Sequence, residues 1–108
     1  MALRDAEFDP LQYLRFYSSA SGAEQITLRQ YIDRMREGQR HINYIMGDSR
    51  EDLDQDDLIA DYRTHRIEVL FVLDHEDKIQ MRQLGWCYGY PLNDLRPQAA
   101  YAKYMHGR

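Results

Sequence analysis

Apolar residues recur along this chain with two periods, and the changes of period divide it into helices and strands. Leu28, Tyr31, Ile32 and Met35 fall at helical spacing and predict one amphipathic helix. Thr27 suits its N-cap, Gln30 three residues later completes a capping box, and Gly38 stands where a C-cap is expected. Residues 41–46, H-I-N-Y-I-M, are short, rich in β-formers and stopped by Gly47, which predicts a strand. Ser49 reads as the next N-cap with Asp52 at N3, and Leu58, Ile59 and Tyr62 supply the buried face of a short helix running to about His65. Residues 67–73, I-E-V-L-F-V-L, form the strongest strand, almost continuously apolar as befits a strand covered on both faces. Two strands with helical structure between them predict a parallel pair with a right-handed crossover. Asp74 then caps a third helix over 75–84, with Asp77 at N3 and Ile79 and Leu84 as anchors.

The ends are less regular. Pro10 is expected to start a short helix over 11–17 whose apolar contacts are Leu11, Leu14 and Phe16. Ser18 to Glu24 reads as a solvated connector of small residues. Trp86, Tyr88 and Tyr90 alternate as in a short strand, which Gly89 and Pro91 make an edge strand at best. A last helix is expected from Pro97, with Ala100, Tyr101 and Tyr104 on one side. These elements together predict an α/β fold, a small three-layer α/β/α sandwich with a short, mostly parallel sheet preceded by a helical segment. The expected organisation is a lead-in helix and loop over 1–24, the domain over 25–96 and a helical tail over 97–108.

The bulk properties narrow the function classes. At 108 residues the chain can bury one modest core. A net charge of −4 gives no nucleic-acid footprint. No stretch approaches 18 apolar residues, so no membrane span is expected, and the amino terminus has no apolar core of a secretory signal. The single cysteine, Cys87, cannot form an internal disulfide, which favours a reducing, cytoplasmic location.

Candidate chemistry is sparse. The loop S-S-A-S-G-A-E lacks the second glycine and the lysine of a phosphate-binding loop. Asp52, Asp54 and Asp56 match the first ligands of a calcium loop, but Asp57 replaces its glycine and Arg63 its closing glutamate. Asp74, His75 and Glu76 lie at the carboxyl end of a strand, where ligands of open α/β sheets often bind, and a pocket with a second polar group there would be needed for an enzyme. No cation or helix start flanks Cys87, which reads as an inert, partly buried thiol. What remains are interaction surfaces. Arg34 and Arg36, with Arg40 nearby, could meet an acidic partner. Trp86, Tyr88 and Tyr90 could form an exposed aromatic patch.

Three words in the chain, L-R-F-Y-S-S-A-S-G from Leu14, I-T-L-R-Q-Y-I-D-R-M-R-E-G-Q from Ile26 and I-N-Y-I-M-G-D-S from Ile42, closely resemble a segment of the heat-shock protein 90 chaperone family. The resemblance spans about residues 11–84, with residues 85–108 diverged. It departs from the family at D-H-E-D-K, where the family carries D-P-x-D-E, and around Asp56-Asp57-Leu58, where the family carries S-P-F. It implies the carboxy-terminal part of the family's middle segment, hence a fragment-like chaperone module acting in protein folding and the stress response. The expected partners are client proteins or co-chaperones and the remainder of a larger chaperone, with neither nucleic acid nor membrane. The resemblance also implies no cofactor in this chain and no enzyme activity of its own, because the family binds ATP in an amino-terminal domain and takes its catalytic-loop arginine from an earlier middle subdomain. The alternative is a non-chaperone adaptor that docks a partner on residues 86–90.

Overall fold

The computed structural model describes residues 10–96. After a 3-10 turn at Pro10–Tyr13 the order is β1 (Tyr17–Ser18), α1 (Leu28–Asp33), β2 (Ile42–Met46), α2 (Arg50–Asp54), α3 (Asp57–Thr64), β3 (Leu70–Val72), α4 (His75–Leu84), β4 (Trp86–Cys87) and β5 (Tyr90–Asp94). The strands form one mixed sheet in the order β1-β3-β2-β5-β4. Its three central strands are parallel, with Ile45 opposite Phe71 and Ile42 opposite Leu92. The two outer strands are antiparallel, β1 to β3 and β4 to β5.

The period of two in the central strands sends side chains alternately to two cores. Ile42, Tyr44, Leu70 and Val72 join Phe16, Leu28, Tyr31 and Met81 on one face. Ile45, Val69 and Phe71 join Leu53, Ile59 and Leu95 on the other. Thus α1 and α4 cover one face and α2 and α3 the other, which is the predicted three-layer α/β/α arrangement. Local signals set the helix starts as read. Thr27 accepts from Gln30 N at 3.0 Å while Gln30 Oε1 accepts from Thr27 N at 2.8 Å. Ser49 accepts from Asp52 N at 3.1 Å, and Asp74 accepts from Glu76 N at 2.8 Å and from Asp77 N at 3.3 Å.

The helix expected over 11–17 is a single 3-10 turn followed by extended chain. Phe16 pairs with Ile26 through two backbone bonds of 2.8 and 2.7 Å, and burial of Phe16 in the core outweighs local helix propensity. The connector after it is also structured, because Ser18 is fully buried in β1. Helix α1 ends at Asp33, capped at Arg34, so Gly38 is not its cap. It occupies a turn closed by Gln39 N to Arg36 O at 2.9 Å, at φ +87°, where glycine is favoured. The acid-rich stretch divides between two helices, because Asp56 starts a second one by accepting from Leu58 N. In α4 the buried anchor is Met81, whereas Ile79 is 42% exposed. Residues 86–90 are not one strand. Tyr88 at φ +53° and Gly89 at φ +87° form the two-residue turn of a hairpin, the geometry whose twist matches its flanking strands. Pro91 therefore lies in an inner strand. It stands one residue ahead of the ladder with β2, which begins at Leu92, so its missing N–H costs that ladder nothing. The helix expected from Pro97 lies outside the described residues.

Candidate functional site

The helix-to-strand word beginning at Ile26 folds around one phenol. Tyr31 is 1% exposed, and its hydroxyl donates to Glu68 O at 2.7 Å while accepting from Gln39 Nε2 at 2.8 Å and Asn43 N at 3.1 Å. Burial raises its pKa above 10.0, against the lowering effect of those donors. Gln39 also accepts from Arg36 N and donates to His41 O, so it shapes the turn that feeds β2. These groups hold α1, the turn, β2 and the approach to β3 together. They are structural, and they explain why this stretch reads as one unit.

The five predicted contact residues do not converge. Arg34 lies at the end of α1 and grips the Glu68 carboxylate with Nε and Nη2, and that carboxylate also accepts from the buried Ser18 hydroxyl. Arg36 donates to His65 O at the end of α3. Both therefore sit near the β3 side of the sheet. Trp86 lies in β4 at the far end of the strand order and is 62% exposed. Tyr88 is half-buried beneath the Arg29 guanidinium, 4.3 Å from its ring centroid, and Tyr90 is half-buried against the core. The expected aromatic patch thus reduces to Trp86, because the hairpin turns the two tyrosines inward. Cys87 is buried more deeply than expected, within the core shared by α1 and α4.

The other candidates resolve into structural roles. Asp74 borders a cleft of about 90 Å³ with Asp77 and Arg15, well below the size of most small-molecule sites. Its carboxylate is occupied as a helix cap, and burial, then Asp74 and Glu76, raise the pKa of Asp77. Among the described residues no group of three His, Cys, Asp or Glu could hold a metal ion, and no helix is long and apolar enough to cross a membrane. The Ser-rich loop does not fit a nucleotide phosphate, since the amides of Ala20 and Ser21 already donate to Ser18 Oγ at 3.1 and 2.9 Å.

A larger cleft, about 290 Å³, opens where Ser19 meets the end of α3, with Arg34, Arg63, Arg66 and Glu68 in its walls. Arg63 donates to Ser19 O at 3.0 Å and Asp54 O at 3.2 Å and pairs with the Asp54 carboxylate. Sequence reading missed Arg63, Arg66 and Glu68 as a group. The available signal was the absence of glycine after α3, where a helix commonly ends on one.

A family model described as Hsp90 protein matches residues 9–95 of this chain, eleven residues beyond the point where the sequence resemblance became diffuse. The chain is 43% identical over 74 residues to heat shock protein 83 of Leishmania donovani, covering 68% of this chain and 16% of that protein. It is 34% identical over 90 residues to the chaperone protein HtpG of Wolinella succinogenes, covering 83% of this chain and 15% of that one. Among solved structures, the middle domain of a Plasmodium falciparum heat shock protein superposes with a TM-score of 0.74 at 27% identity, covering 80% of this chain and 36% of that chain. The chain thus spans only about one sixth of the length of the curated relatives it matches.

Proposed function

The chain belongs to the Hsp90 family, and on that premise we propose that it is a chaperone module that contacts client proteins or co-chaperones, with Trp86 as its principal apolar contact. The likeness of its α/β/α fold to a middle domain, over 80% of this chain, carries this reading. An indole 62% exposed on an outer strand is the side chain best suited to an apolar segment of an unfolded chain, since aromatic residues dominate the energetics of protein contacts. Nucleotide handling belongs, on this proposal, to parts of the larger chaperone outside these residues, so the chain acts by binding alone and in the cytoplasm. The adaptor alternative draws on the same exposed Trp86.

Light scattering from two unrelated heat-denatured enzymes, with and without the 108-residue chain, tests the proposal. The expected result is slower aggregation of both, reduced by Trp86→Ser. No effect on either enzyme at tenfold molar excess would overturn the chaperone reading. Protection confined to one of them would favour the adaptor.

A further inference from the structure

We propose that the cleft at the carboxyl end of α3 is an anion-binding site in which Arg34, Arg63 and Arg66 take an oxyanion, either a carboxylate or a phosphate group. This inference does not depend on the client-binding proposal. Arg66 N donates to Arg63 O at 2.9 Å and Ile67 N to Tyr62 O at 3.0 Å, the paired bonds of a Schellman motif. The position between them requires the left-handed conformation, and Arg66 adopts it at φ +60°. Glycine meets that requirement without a steric penalty and arginine does not. The arginine side chain itself does nothing to offset the penalty, because within the described residues it makes neither a hydrogen bond nor an ion pair. A non-glycine residue in a strained conformation, aimed at a cleft, points to a ligand rather than to the fold.

The cleft walls supply what an oxyanion needs. Each guanidinium has five N–H donors in a planar fork suited to carboxylate and phosphate. Arg34 spends its Nε and Nη2 on Glu68, and Arg63 is braced by Ser19 O and Asp54, so both are held in place with donors to spare. Their charges are matched by Glu68 and Asp54 respectively. Among the described residues the charge of Arg66 is unmatched, which leaves the cleft with an excess positive charge. Complementing the helix dipole does not account for this arrangement, since Arg36 already covers the His65 carbonyl at the same helix end from outside the cleft.

Titration of the 108-residue chain, followed by NMR of the arginine side-chain Nε–H groups at constant ionic strength, tests the site. The probes are inorganic phosphate and a capped tri-glutamate peptide. Saturable shifts at Arg66 and Arg34 are expected with at least one probe, and which probe responds distinguishes phosphate from carboxylate as the natural group. Arg66→Gln is expected to weaken binding about tenfold or more, as loss of charge-assisted hydrogen bonds predicts. Arg66→Gly should do the same while relieving the backbone, which separates lost binding from lost folding. Arg40→Gln, which removes a charge outside the cleft, should leave affinity unchanged. Non-saturating shifts with both probes, or equal affinity in Arg66→Gln and the unaltered chain, would overturn the proposal.

Discussion

Replacing Tyr31 with phenylalanine removes one oxygen atom and disconnects three segments. The ring stays, so burial of the aromatic body in the core is unchanged. What is lost is the bond to Glu68 O at 2.7 Å and those from Gln39 Nε2 at 2.8 Å and Asn43 N at 3.1 Å. Gln39 keeps His41 O as a second partner, so its loss is small. Asn43 is buried in β2, however, and its N–H and the Glu68 carbonyl are left without this partner. Stranding a buried polar group costs about 1–3 kcal/mol, so Tyr31→Phe should destabilise the domain by about 2–4 kcal/mol. In a domain of this size each kcal/mol moves the thermal midpoint by roughly 4–8 °C, which makes the effect large. Urea unfolding at pH 7, followed by tryptophan fluorescence and by circular dichroism, measures it. A loss below about 0.5 kcal/mol at unchanged denaturant slope would show that the hydroxyl is not the organising contact. The same substitution has a pH signature. Burial raises the folded pKa of Tyr31 above 10.0, so its contribution is fully present below pH 10 and is lost as pH rises through the folded value. The variant should therefore lose stability less steeply in alkali, with Tyr44 and Tyr62, which burial raises likewise, contributing to the slope that remains.

Three further outcomes are expected. A Cβ at Gly47 would lie 2.7 Å from Leu53 Cγ and Cδ2, and Leu53 is buried, so Gly47→Ala should cost about 1–3 kcal/mol by thermal unfolding. Asp77 has its pKa raised by burial and then by Asp74 and Glu76, so the folded state favours its protonated form, and that stability, fully present below the ordinary carboxylate value, is lost as pH rises through the folded value. Asp77→Asn should accordingly flatten the fall in stability above pH 4, and an unchanged pH profile would refute the assignment. Arg66→Gly should stabilise the domain by up to about 1 kcal/mol, because glycine suits the left-handed position and arginine does not. A lowered thermal midpoint would mean that the arginine side chain supports the fold.

Elements whose causes are local are legible in the residues alone. Thr27, Ser49 and Asp74 cap amides within three residues of themselves, and the apolar runs make the buried parallel strands, although of the strand expected over 67–73 only Leu70–Val72 pairs with β2. The motifs that resemble the chaperone family were legible for the same reason, since the turn through Gln39 is a short-range arrangement. Features that depend on distant partners emerge only in the folded chain. Phe16 became extended because Ile26 and the core were available to it, and residues 90–94 entered the sheet because β2 offered an open parallel ladder. The partner that closes Tyr31 lies 37 residues away, and the one that holds Arg34 lies 34 away. No periodicity or cap reports such pairings, because they arise only once the sheet has brought Glu68 beside α1. The arginine cleft belongs to the same class, assembled from the ends of α1 and α3 by a fold that none of its residues specifies alone.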